Sequence, residues 1–258
     1  MGYLEGFFRL KGKKAALTGA GGLLVGEMSR ALSKAGVSVA VMDFDERKAV
    51  AVRDEIIAGG GHAIAVAIDV TSKDQWQKAL EHVTREFGDV DILINGAGQN
   101  APTPFLEIPL DEWDNILSVQ LTGTMLGCQV FGAYMVRQRK GSIINISSAS
   151  SGPPLSKAFT YSVAKAGVKN LSQNLAREWA TSGVRVNAIR PGFFPSQMMR
   201  EKFLTEERIE AILRHTPMQR FGEAVELTGC VLWLCSDAAS FVTGAEIPVD
   251  GGFTCMTI

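Results

Sequence analysis

Short apolar runs alternate with longer amphipathic segments along the whole chain, and this alternation restricts the architecture more than any other feature. "KAALT" (14–18), "VSVAVM" (37–42), "HAIAVAI" (62–68), "VDILIN" (90–95), "SIINIS" (142–147), "VRVNAI" (184–189) and "AEIPV" (245–249) read as strands. Several are nearly continuous in hydrophobic residues, the pattern of strands covered on both faces of a parallel sheet. Between them lie helical stretches. In the first, Leu24, Met28, Ala31, Leu32 and Ala35 share one face and Gly36 stops the helix. Others are predicted over 45–58, 73–87, 111–139, 159–182 and 223–236. The expected fold is α/β: a single doubly wound domain over 1–258 around a central, mostly parallel seven-stranded sheet. The segment 192–222 breaks the rhythm as an insertion between the sixth strand and the last long helix. Loops at strand C-termini form the ligand crevice in such sheets, so this insertion is the expected substrate lid.

A dinucleotide loop would follow the first strand. Gly19, Gly21 and Gly22 lie there, in "LTGAGGLLVG" (17–26), but a strict GxGxxG needs glycine at position 24, which is Leu24. Taken alone, the loop either binds phosphate or is a glycine-rich turn that packs helix on strand. The next strand ends at Asp43, twenty-four residues after Gly19 and followed by Phe44. A carboxylate there can accept hydrogen bonds from ribose hydroxyls and would repel a 2′-phosphate, favouring NAD over NADP. Equally, Asp43 could only begin the turn before the second helix.

Ser148, Tyr161 and Lys165 occur in order in "SIINISSASSGPPLSKAFTYSVAKAG" (142–167). The i, i+4 spacing puts Tyr161 and Lys165 on one helix face. A neighbouring ammonium stabilises phenolate and is expected to lower the phenol pKa, making it usable for proton transfer near neutral pH. Ser148 could hydrogen-bond the same substrate oxygen.

With "INGAG" (94–98), "RVNAIRPG" (185–192) and "VTGAEIPVDGG" (242–252), these pieces resemble, in order and over residues 10–254, the short-chain dehydrogenase/reductase family of Rossmann-fold enzymes. The resemblance implies reversible hydride transfer between NAD(H) and a C–OH/C=O pair. Tyr161 would be the general acid/base, Ser148 would orient the substrate oxygen, and Lys165 would hold the nicotinamide ribose. The cofactor would meet Gly19, Gly21, Gly22 and Leu24 at the loop and Asp43 and Phe44 at the second strand. Asp69 and Val70 would flank the adenine and Asn95, Ala97 and Gly98 would line the path. Pro191, Gly192, Phe194 and Ser196 would stand at the nicotinamide end.

The chain departs from the family pattern at two places. Leu23 and Val25 replace two loop glycines, so they are expected to point away from the phosphates, with Gly21 and Gly22 carrying the sharp turn. Gln120 replaces an asparagine whose main chain, in the family, holds a proton-relay water. The texture of the lid and C-terminus is most like the sugar-acid and polyol branch, such as D-mannonate (fructuronate) oxidoreductases and gluconate dehydrogenases. Gln197 and Arg200 are the candidate substrate contacts. A 3-oxoacyl thioester reductase of the same family and a catalytically idle NAD-binding sensor or scaffold are the alternatives.

The family usually forms homotetramers, and the apolar stretch 119–136 suits either a subunit interface or burial against the sheet. The formal net charge of −1 and the lack of a basic cluster argue against nucleic-acid binding. Four scattered cysteines and three scattered histidines suggest reduced thiols and no metal site. No signal-like segment and no uncharged stretch of membrane-spanning length is expected, so a cytoplasmic protein is the expectation.

Overall fold

A computed structural model describes residues 2–196 and 204–256. After a short helix α1 (Tyr3–Phe7), the chain runs β1 (Lys14–Thr18), α2 (Leu23–Lys34), β2 (Ser38–Asp43), α3 (Glu46–Ala58), β3 (Ala63–Ala67), α4 (Lys73–Phe87) and β4 (Ile92–Asn95). It continues through α5 (Leu110–Leu117), a π-helical turn (Ser118–Thr122), α6 (Gly123–Gln138), β5 (Gly141–Ile146), α7 (Phe159–Trp179) and β6 (Val184–Pro191). The described chain closes with α8 (Glu206–Arg214), α9 (Thr228–Cys235) and β7 (Glu246–Val249).

The seven strands form one all-parallel sheet in the order β3-β2-β1-β4-β5-β6-β7. The strand order reverses between β1 and β4, where doubly wound sheets open a ligand crevice at the strand C-termini. Register brings Thr18 beside both Met42 and Asn95, and Asn95 beside Asn145.

The runs of apolar residues have a simple origin. In β4 all four residues are buried: Ile92 and Ile94 face a layer containing Met28, Leu32 and Val231, while Leu93 faces Trp76, Phe131 and Met135. Both faces are dry, so alternation disappears from the central strands. The edge strands β3 and β7 keep the most exposure. On the second layer, the Trp76 and Phe131 rings meet edge to face at 5.7 Å, and Trp76 Nε1 donates to the Val70 carbonyl at 2.9 Å. Local signals set the helix ends: Asp45 caps α3, Ser72 caps α4, and left-handed Gly88 terminates α4.

The fourth predicted helix corrects one expectation. Leu110–Gln138 is long and apolar enough to cross a membrane by length and composition. Its buried face, including Leu126, Cys128, Phe131 and Met135, packs into the second core layer of the sheet. A core helix covering a dry sheet face acquires the same composition as a spanning one.

Candidate active site

Of the loop glycines, Gly19 is the one whose backbone enters the left-handed region, at φ +70°. A Cβ on it would lie 2.7 Å from the Gly96 carbonyl oxygen and 2.9 Å from the Ala97 nitrogen. The sharp turn thus belongs to Gly19, correcting the assignment to Gly21 and Gly22. Gly21 is needed for space: its Cβ would approach the Lys48 Cβ to 2.5 Å, and its N–H donates to Asp43 Oδ2 at 3.0 Å. Gly22 is the extended N-cap of α2; no side chain caps this terminus and its first turn carries no acidic residue. The unpaired N–H groups and positive dipole end can therefore receive an anion.

The two substituted positions behave differently. Leu23 is half exposed, whereas Val25 turns into the core beside Ile94 and Ile146. A Cβ on Gly96 would collide with Val25 Cγ2 and come within 3.1 Å of the Thr18 carbonyl oxygen. Val25 fills volume that Gly96 leaves open, so the altered loop is compensated across the β1–β4 crevice. Gly96→Ala is expected to cost about 1–3 kcal/mol by overpacking, and Val25→Ala in the same protein to recover part of it. Urea melts of the two single variants and the double variant check this. Additive losses would show that the two positions are not coupled.

Asp43 closes the second strand with both oxygens engaged, Oδ1 accepting from the Asp45 N–H and Oδ2 from that of Gly21, each at 3.0 Å. Each carboxylate oxygen keeps a further lone pair for another donor. Phe44 is exposed, and Leu24 packs against the core with its side chain. After β3, Asp69 accepts from the Thr71 N–H and hydroxyl at 2.9 and 2.7 Å, while Val70 packs on Gly123 at the start of α6. Thr18 Oγ1 accepts from the Gly96 and Ala97 N–H groups at 3.2 and 3.4 Å, anchoring the β4 loop to the β1 loop. Asn95 donates to Asn145 Oδ1 at 2.8 Å, and its own Oδ1 is buried with no partner among the described residues.

The proton-transfer candidates converge at the C-terminal end of β5. Lys165, buried on α7, donates from Nζ to the Ile146 carbonyl at 2.7 Å and lies 5.6 Å from the Tyr161 ring centre. Burial lowers its pKa to about 7. Burial also raises the Tyr161 phenol above its usual value, while a side-chain hydrogen bond with Ser148 pulls it back down. This differs from the expected lowering by lysine: desolvation disfavours both charged forms and outweighs the attraction between them. Ser148 is buried and accepts from the Ser150 N–H at 3.2 Å.

Gln120 sits in the π-helical turn, a feature frequent at functional sites. Its Nε2 donates to the Gln99 carbonyl at 2.6 Å, and its Oε1 is buried with no partner among the described residues. The side chain stands directly over Gly98, where a Cβ would lie 2.6 Å from Oε1. Its main-chain carbonyl accepts the Thr124 hydroxyl at 2.8 Å.

After β6, buried Pro191 leads into Gly192, whose missing Cβ leaves room for the Asp250 backbone, and Phe194 packs over Gly222. Ser196 ends the described stretch; Gln197 and Arg200 lie outside the described residues. Sequence reasoning missed Glu246 and Arg190, which form a part-buried ion pair whose carboxylate also meets Ser147 and Ser151 on either side of Ser148. The available signal was a charged residue on each of two neighbouring strands, Arg190 near the end of β6 and Glu246 at the start of β7. Among the described residues no group of His, Cys, Asp or Glu is arranged to hold a metal ion. The buried Cys128 and Cys235 thiols are pushed up to about 12 by desolvation.

A glycine cradle at a helix N-terminus, joined through one parallel sheet to a Ser–Tyr–Lys cluster, defines a dinucleotide-dependent oxidoreductase. The chain belongs to the short-chain dehydrogenase/reductase family, NAD(P)-dependent enzymes acting on CH–OH groups. A family model described as Enoyl-(Acyl carrier protein) reductase matches residues 26–254. The chain is 38% identical to the uncharacterized oxidoreductase UxuB of Bacillus subtilis, over 95% of each chain. A gluconate 5-dehydrogenase from Burkholderia cenocepacia, in complex with NADP and tartrate, superposes with TM-score 0.94 at 29% identity, covering 99% of this chain and 100% of that one. A Haemophilus influenza protein assigned as a D-mannonate oxidoreductase, with bound NAD, superposes with TM-score 0.91 at 34% identity, covering 96% and 97%.

Proposed function

We propose that this protein interconverts a secondary alcohol and a ketone on a sugar acid or polyol, using NAD(H). The observation that carries the reading is the Ser148–Tyr161–Lys165 cluster at the end of β5, on the same end of the sheet as the glycine cradle of β1 and α2, with β4 between them. Gly19, Gly21 and Gly22 with the α2 terminus would hold the pyrophosphate, and Asp43 the adenosine ribose. The residues fit such a group: Gly19 and Gly21 have no room for a Cβ, and buried acceptors on Asn95 and Gln120 have no partner among the described residues. When bound, the cofactor supplies or accepts the hydride.

The chain's own residues manage the proton. With its pKa raised by burial, the Tyr161 phenol is protonated at neutral pH, the form that donates to a ketone oxygen gaining negative charge. Ser148 hydrogen-bonds the same oxygen and orients it. Lys165 titrates near neutral pH and stands beside the ring, so its ammonium stabilises the phenolate left behind. In the reverse direction that phenolate takes the alcohol proton. The 192–222 segment, which includes α8, would serve as the substrate lid. Arg208 of α8 already donates to Ser156 Oγ at 2.6 Å, on the loop leading to Tyr161. The apolar side chains of Phe105 and Leu106 in the turn before α5, Leu110 on α5, and Phe159 and Val163 on α7 are exposed, which supports a homo-oligomer, a tetramer on the family pattern. Sedimentation gives its size.

The deciding experiment follows NADH and NADPH consumption at neutral pH with fructuronate, 5-ketogluconate, simple ketoses and a 3-oxoacyl thioester. Oxidation of NADH by a keto-sugar acid is the expected result. Oxidation by the thioester alone would move the protein to the acyl-reductase branch, and NADH binding without turnover would make it an idle binder. The NAD preference is tested by Asp43→Asn, which keeps the shape and an acceptor for Gly21 but removes the charge. A like-charge contact at 4 Å costs about 1–4 kcal/mol per unit charge. The NADPH/NADH ratio of kcat/KM is therefore expected to rise tenfold or more, roughly one decade per 1.4 kcal/mol. An unchanged ratio would remove Asp43 from cofactor selection.

A further inference from the structure

Behind Ser148 lies a carboxylate that the proton-transfer scheme does not use. Glu246, at the start of β7, has a side chain only 6% exposed. Its Oε1 accepts two hydroxyls, from Ser147 at 2.6 Å and from Ser151 at 2.7 Å. These serines stand immediately before and three residues after Ser148, and the Ser151 N–H also closes on the Ser148 carbonyl at 2.9 Å. The other oxygen faces the Arg190 guanidinium of β6 and, at 3.4 Å, Lys169 of α7, one helical turn beyond Lys165. The turn after β5, strands β6 and β7, and α7 therefore converge on one largely enclosed carboxylate.

An ion pair largely withdrawn from water is weak evidence for stability, because desolvating the charges offsets most of their attraction. Apolar side chains of similar volume would pack this corner as well. What a carboxylate adds is direction: a single acceptor oxygen drawing two hydroxyls fixes both ends of a five-residue turn. Burial acts to raise the Glu246 pKa, but hydrogen bonds from Arg190, Ser147 and Ser151 together hold it below the usual carboxylate range, so the acceptor stays ionised.

We propose that Glu246 is a positioning residue for the reaction: through Ser147 and Ser151 it clamps the 147–151 turn and so aims the Ser148 hydroxyl at Tyr161 and the substrate oxygen. The proposal rests on the reading of Ser148 and Tyr161 given above. Arg190 and Lys169 hold the carboxylate in place from its far side.

Two variants test it. Glu246→Met removes the acceptor oxygens at similar volume. The Ser147→Ala/Ser151→Ala protein cuts both links and keeps the ion pair, so it serves if the first variant fails to fold. Both are expected to lower kcat for the keto-sugar acid by on the order of tenfold to a hundredfold, since small misplacements of a reacting group have effects of that size. The KM for NADH should stay within about twofold, because the turn lies apart from the glycine cradle. In a Ser148→Ala background the same changes should have almost no further effect on kcat. Hydrogen exchange needs no substrate: peptides covering 147–151 should exchange faster in both variants, with those of β1 and α2 unchanged. Wild-type kcat in both variants, an equal loss in the Ser148→Ala background, or unaltered exchange at 147–151 would each overturn the proposal. Tyr161→Phe in parallel separates the two levels. If that protein still turns over, the reading of the site fails. If it is inactive while the clamp variants are not, the clamp alone fails.

Discussion

Tyr161→Phe is expected to lower turnover by about 10²–10⁴-fold, the usual contribution of a positioned acid/base group, while NADH still binds. Phenylalanine keeps the ring beside Lys165 and fills the same space between Ser148 and α7. Only the hydroxyl that meets Ser148 and holds the transferable proton is lost. The stability change should be small, about 1 kcal/mol for one hydrogen bond. Initial rates of NADH oxidation with the best ketone of the panel, alongside a NADH fluorescence titration, measure the two effects separately. Unchanged turnover with intact binding would falsify the assignment of Tyr161 as proton donor. Loss of binding together with turnover would mean that Tyr161 holds the cofactor and that its acid/base role is unproven by this variant.

The second large effect is expected at Gly19. An alanine there meets two penalties: left-handed backbone, about 1–2 kcal/mol for an L-residue, and a Cβ 2.7–2.9 Å from the backbone of Gly96 and Ala97. Neighbouring backbone cannot swing aside like a flexible side chain, so overpacking adds about 1–3 kcal/mol. At roughly 2–4 °C per kcal/mol for a domain of this size, the melting temperature should fall by about 5–15 °C. The β1–α2 turn must also shift, so NADH affinity should fall with it. Gly22→Ala is the control: at φ −84° its nearest foreign atom is the Gly19 carbonyl oxygen at 3.2 Å. Equal melting temperatures for the two variants would show that Gly19 does not carry the turn.

Much of the candidate site was legible because its signals are local. Ser148 follows a strand, Tyr161 and Lys165 are one helical turn apart, and Asp43 ends a strand. The sheet then brings strand ends together in the ordinary way of doubly wound folds. The assignments that had to be corrected depended on distant neighbours. Three glycines lie in the loop, and only the approach of Gly96 and Ala97 distinguishes Gly19. Leu23 and Val25 looked alike as substitutions, yet one faces solvent and the other the core. The expected lowering of the Tyr161 pKa considered lysine and phenol alone and left out desolvation by everything packed around them.

Periodicity, a property of the chain alone, determined the α/β class and a mostly parallel sheet of seven strands, and the order of motifs along the chain singled out Ser148, Tyr161 and Lys165. The tertiary structure decided which residues share space across the sheet. Strand order sets β4 beside β1, so Val25 meets Gly96, and it sets β7 beside β6, so Glu246 meets Ser147, 99 residues away in sequence. Residues so far apart are brought together by sheet packing, and no local pattern of hydrophobicity encodes which strand lies next to which.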